Sequence, residues 1–199
     1  MMVGHEDEAS VHLSAALDLY ARLGDHVGEA HTLHNLARLC ERQGRTRDML
    51  AHSRRALELY RAVGHPLGQA RALNGVGWSH TLLGEHQEAR AYIEQALALH
   101  QEIGDRRGEA DTWDSLGYVQ HHLGLHAEAA KCIQHAIDLF REFGDRYNEA
   151  VSLTRLGDVH RAGGARDTAR DAWREALVIL DELRHPDAER VRALLADGT

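Results

Sequence analysis

Residues 104–143 read GDRRGEADTWDSLGYVQHHLGLHAEAAKCIQHAIDLFREF, and this stretch decides the fold. Ala110, Trp113, Leu116 and Gly117 lie at helical spacing before Gly124, and Ala129, Ile133, Ala136, Ile137 and Phe140 follow at helical spacing after it. The stretch therefore reads as a helix, a turn at Gly124 and a second helix. The same pattern recurs outward in both directions with a period of forty: Gly24, Gly64, Gly104 and Gly144 form one column, and Gly44, Gly84, Gly124 and Gly164 another. Ala30, Ala70, Ala110 and Ala150 recur in the first helix, and Ala56, Ala96, Ala136 and Ala176 in the second. Full units are expected at 24–63, 64–103, 104–143 and 144–183. Asp25, Asp105 and Asp145 suit N-cap positions, Pro66 suits the first helical position, and the Gly44 column suits a left-handed helix end. Small residues at 37, 77, 117 and 157 permit close helix approach, and Gly117 is expected to touch its partner helix near Ala136. A helix pair of this kind cannot bury its apolar face alone and must stack on its neighbours.

The flanks keep the register. Ala16, Leu17, Leu19, Tyr20 and Leu23 match Ala56, Leu57, Leu59, Tyr60 and Val63, so 5–23 is predicted to be a second-type helix without its first. Gly4 falls in the Gly44 column, and the chain is expected to be cut from a longer protein at this end. The apolar face with Leu13, Leu17 and Tyr20 would then be uncovered and is expected to make a homodimer. Residues 184–199, with Val191, Leu194 and Leu195, are predicted to cap the other end, and Gly198-Thr199 reads as a natural terminus.

Composition limits the alternatives. The 199 residues carry a formal charge of −8, and Lys131 is the sole lysine among 23 basic residues. An acidic chain of this kind is a poor ligand for nucleic acid, whose phosphates need a basic face. No apolar run approaches the roughly 20 residues that span a bilayer, and the first residues lack a signal-peptide pattern. Cys40 and Cys132 are widely separated and sit in helical patterns, which predicts free thiols and a cytoplasmic location.

The columns resemble the tetratricopeptide repeat (TPR), and Trp113-x2-Leu116-Gly117 followed by Ala129-x3-Ile133-x2-Ala136 carries the likeness. The usual late aromatic of the first helix is Cys40, His80, Gln120 or His160 here, and the period is longer than the usual thirty-four. The resemblance implies an all-α, right-handed TPR solenoid of stacked antiparallel helix pairs that binds protein or peptide. The phrase Gly-Asp-x-x-Gly-Glu-Ala (24–30 and 104–110) and the closing His185-Pro186-Asp187-Ala188-Glu189 also resemble the C-terminal repeats of actinobacterial regulators of the Streptomyces antibiotic regulatory protein type. That likeness implies a sensor or interaction module beside a DNA-binding domain.

Sixteen histidines raise the question of a metal site. His31 and His34 share a face, but His122 and His126 straddle a helix end, and no HExxH, Cys pair or His–carboxylate set accompanies them. Packed or surface histidine is the simpler reading. Gly75-Val76-Gly77 lies inside a helix and is not a phosphate loop, and Cys40 sits in a core column. No catalytic residue, metal or cofactor is expected.

The TPR resemblance implies that residues one, four and eight places after the repeated alanine line a concave face. These are His31, His34 and Arg38; Arg71, Asn74 and Trp78; Asp111, Asp114 and Tyr118; and Val151, Thr154 and Asp158. A solvated face that had drifted would also vary, but Trp78 and Tyr118 are atypical of one. The expected ligand is an internal protein or peptide segment, or another domain of the same chain. Its apolar groups would rest on the aromatics, with an acidic group at Arg38 and Arg71 and a basic one at the aspartates. A scaffold without any regulatory domain is the competing expectation; an enzyme or small-ligand receptor finds no polar constellation to support it.

Overall fold

The computed structural model of the chain describes residues 3–197, with side chains from 8 to 196. Among these residues the elements are α-helices: α1 (Val3–Leu23), α2 (His26–Arg42), α3 (Thr46–Ala62), α4 (Pro66–Leu82), α5 (His86–Ile103), α6 (Arg106–His122), α7 (His126–Phe143), α8 (Arg146–Ala162), α9 (Arg166–Glu182) and α10 (Asp187–Asp197). None is long and apolar enough to cross a membrane. Two compact units, Met1–Asp105 and Arg106–Thr199, divide the chain.

The helices begin and end for local reasons. Asp25 accepts a hydrogen bond from the Gly28 amide at 2.9 Å, and Asp145 accepts from Asn148 at 3.2 Å. Before Pro66 the cap is an imidazole: His65 Nδ1 accepts from Gly68 N at 2.9 Å. Gly24, Gly44, Gly64 and their equivalents through Gly164 all have positive φ. The next position of that series is Arg184, at φ 52°. A left-handed arginine costs about 1–2 kcal/mol that glycine would not. Gly4, expected at a helix end, lies within α1.

In the first unit, Ala30, Leu33, Ala56, Leu57, Tyr60, Leu73 and Val76 form the core, with Leu17 of α1 packed against it. The uncovered face of α1 is therefore not the expected one. Leu17 and Tyr20 are half-buried, and a Cβ on Gly28 would fall 2.4 Å from the Tyr20 ring. A second-type helix uses these residues on the first helix that follows it. What stays exposed is Val11, Leu19 and Leu23; Leu19 is 56% accessible while its equivalent Leu59 is 5%.

The second unit is centred on Ile133, Ile137, Leu153, Trp173, Ile179 and Leu180, with Ala188 and Val191 of α10 completing the core. Leu194 and Leu195 pack partly against it, and Glu189, Arg190 and Arg192 face outward. Gly198 and Thr199 lie outside the described residues. Gly117 meets Ile133 and the Ala129 carbonyl, and Ala136 packs with Ala110 instead. Antiparallel pairing requires this: the later a residue stands in the first helix, the earlier its partner stands in the second. Gly77 meets Ile93 and Gly157 meets Trp173 by the same rule.

Candidate protein-binding site

In the first unit α2 and α4 lie side by side and present the expected residues on first-helix faces. Arg38 and Arg71 are exposed, and Arg71 Nη2 stands 3.9 Å from Asp105 Oδ2. His34 is half-buried; burial pushes its pKa down, and Arg38, Arg71 and His31 push in the same direction. His31 is exposed, with its ring 5.6 Å from Tyr60 and 6.0 Å from His65. Asn74 is half-buried, and its Oδ1 is buried without a hydrogen-bond partner. Trp78 is half-buried against Ala37, Cys40 and Met49, and its Nε1 donates to Glu41 Oε1 at 2.6 Å. It offers a ring edge held in place by α2, not a freely standing aromatic.

In the second unit α6 and α8 are neighbours. Asp111 is exposed. Asp114 is already occupied: Ser152 Oγ donates to it at 2.8 Å, and Arg155 pairs with its other oxygen. Arg155 also covers Tyr118, its guanidinium carbon 5.1 Å from the ring centroid, and the His122 ring lies 4.5 Å away. Asp158 is half-buried; burial raises its pKa, opposed by Arg161, Arg190 and a hydrogen bond from Trp173. Thr154 does not reach the face at all. It is 1% exposed, and its short side chain turns back to donate to the Ala150 carbonyl at 2.8 Å.

The expected residues thus form a cationic, histidine-bearing face in the first unit and, in the second, a face whose carboxylates are largely answered by arginine. Glu41 and Arg155 were not anticipated. Arg155 stands four residues after Val151, so extending the helical stripe to i+4 finds it. Glu41 has no such signal within its own helix.

A cleft of about 500 Å³ lies where the α6–α7 and α8–α9 turns meet, lined by Leu125, His126, Glu128, Val159, His160 and Gly163 among others. His121 stands 5.3 Å from His126 and 5.4 Å from His122, ring to ring, and the Nδ1 atoms of His121 and His126 are buried without a hydrogen-bond partner. Burial lowers the pKa of His121, and His122, His126 and Arg161 add to the shift. Among the described residues no group of three or more His, Cys, Asp or Glu side chains could hold a metal ion. Cys40 is buried, and burial pushes its thiol pKa up, away from nucleophilic character.

Comparison with known proteins gives these helices a family. A tetratricopeptide repeat model matches residues 3–62, 42–102 and 108–182. The chain belongs to the tetratricopeptide repeat family. TPR repeats form a scaffold for protein–protein interaction. No curated protein sequence matches the chain. Its fold is similar to that of BtubC from P. vanneervenii, with a TM-score of 0.82 at 18% identity over 97% of this chain and 82% of that one. It is also similar to the apo form of RapI, with a TM-score of 0.76 at 16% identity over 86% of this chain and 63% of that one. Aspartyl phosphate phosphatase F from Bacillus subtilis gives 0.79 at 13% identity, over 92% of this chain and 49% of that one. At these identities the likeness is one of TPR fold.

Proposed function

We propose that this TPR chain is a protein- or peptide-binding module without catalysis or cofactor, and that the α2–α4 face of its first unit is the principal contact surface. The observation that supports this most is the setting of Arg38 and Arg71. Both are exposed on the pair of helices that also carries the half-buried Trp78, and arginine and tryptophan are among the residues that most often dominate interfaces. The α6–α8 face is a second, more internally neutralised surface on which Asp111 is exposed.

A photo-crosslinking amino acid placed at Arg38 should capture a defined partner in the native cell, whereas the same probe at Arg174 on α9 should not. With that partner in hand, Trp78→Ala should weaken binding by roughly 2 kcal/mol, about thirtyfold. Arg71→Ala should weaken it mainly at low salt. Equal capture from both positions, or a Trp78→Ala protein that binds normally, would remove the assignment.

In its cellular setting the module serves as the C-terminal sensor or interaction region of a bacterial, cytoplasmic transcription regulator. The repeated Gly-Asp-x-x-Gly-Glu-Ala phrase supports this reading. A winged helix encoded upstream in the same frame is the observation that checks it, and a frame without one leaves a scaffold role. Self-association belongs to the same proposal and is supported by the exposed row Val11, Leu19 and Leu23 on α1. Light scattering should show a dimer at high micromolar concentration and a monomer for Leu19→Glu. A wild-type monomer under those conditions overturns it.

A further inference from the structure

Resting on that reading of the first unit, we propose that the α2–α4 face takes a carboxylate-rich segment of a partner protein, and that docking is coupled to uptake of a proton at His34. His34 occupies the middle of the α2 stripe, with His31 one turn before it and Arg38 one turn after. Arg71 faces it from α4. Arg38, Arg71 and His31 all disfavour the charged form of His34, in the same direction as its burial. Asp105 stands behind Arg71 at 3.9 Å. Arg38 makes no hydrogen bond or ion pair among the described residues, and it is exposed. Asn74, in the register position of His34 one repeat later, holds a buried Oδ1 that lacks a donor.

The face is therefore short of two things: a negative charge for Arg38 and an N–H for the Asn74 amide oxygen. A docked carboxylate supplies the first and reverses the sign of the field at His34. The imidazole then gains a proton, which gives it a second N–H to present to the carboxylate or to Asn74. By linkage, a ligand that raises the proton affinity of His34 binds more tightly as pH falls through the ordinary histidine range. Carboxylate on a protein segment, not nucleic-acid phosphate, is the anion proposed, because TPR repeats are a scaffold for protein–protein interaction.

A peptide of six glutamates, titrated calorimetrically into the full chain in two buffers of different ionisation heat, tests this. Wild type should bind about tenfold more tightly at pH 6.0 than at pH 7.5, with net proton uptake. His34→Gln, which cannot titrate in this range, should bind at both pH values about as weakly as wild type does at pH 7.5, and so lose the pH dependence. The His34 Cε1–H resonance should titrate at higher pH once the peptide is present. If the peptide binds wild type and His34→Gln with the same pH dependence, the proton goes elsewhere and the coupling is overturned while the face remains a binding site. If it binds at neither pH, the face reading fails as well. An oligonucleotide of equal charge that binds as tightly, with the same uptake, overturns the carboxylate assignment.

Discussion

Replacing Trp173 by alanine should destabilise the second unit by about 3–5 kcal/mol, the range for a large aromatic removed from a closed core. The side chain is 1% exposed and lies among Leu153, Leu156, Val159, Ile179 and Leu180. Its Nε1 donates to the Thr154 carbonyl at 3.1 Å, so truncation also leaves that oxygen without its side-chain donor. Arg161 lies over the ring at 5.1 Å and loses that contact too. Because repeat stacks unfold by neighbouring units, amide exchange should report the damage first in α8 and α9. Urea denaturation gives the total, and a loss below about 1 kcal/mol would mean that the site collapses around the gap far better than its packing implies.

Gly117→Leu should be the second most damaging change, at about 1–3 kcal/mol or more, for the opposite reason. A Cβ built on Gly117 falls 2.4 Å from Ile133 Cγ1 and 3.1 Å from the Ala129 carbonyl oxygen. The isoleucine can shift, but the carbonyl belongs to the α7 backbone and moves only if the helices part. Combining Gly117→Leu with Ile133→Ala should recover part of the loss, giving a favourable coupling in a double-mutant cycle. An unchanged melting midpoint for the single variant, or strict additivity in the double, would show that this crossing is not where α6 and α7 are held together.

The period of forty and the glycine helix ends from Gly24 to Gly164 were legible because they depend on backbone chemistry that each repeat must satisfy alone. Asp25, Gly44 and Pro66 act within a few residues of themselves. The contact of Gly117 was misplaced because a column lists residues in chain order, whereas a hairpin pairs them in reverse. The wall of the candidate site was half legible. Its residues follow from helical spacing, but their pairings cross from one repeat to the next. Trp78 finds Glu41 at a separation of 37, Ser152 finds Asp114 at 38, and Arg155 finds Asp114 at 41. Arg106–Glu142 and Arg146–Glu182 repeat the same separation of 36, so such pairings recur near one period. Opposite charges about one repeat apart, such as Asp114 and Arg155, carry that signal in the sequence. Thr154 was misread for a simpler reason: a β-branched hydroxyl in a helix satisfies itself on the preceding turn.

The α10 helix has one adhesive side and one wetted side. Within its unit, α9 presents an apolar surface on which the residues of α10 pack. Ala188, Val191, Leu194 and Leu195 consume that surface, and the outward side offers Glu189, Arg190 and Arg192 to whatever approaches. Stacking a further helix on α10 by design would thus start by making its outer side apolar and by giving position 184 a glycine, which takes the left-handed backbone without strain.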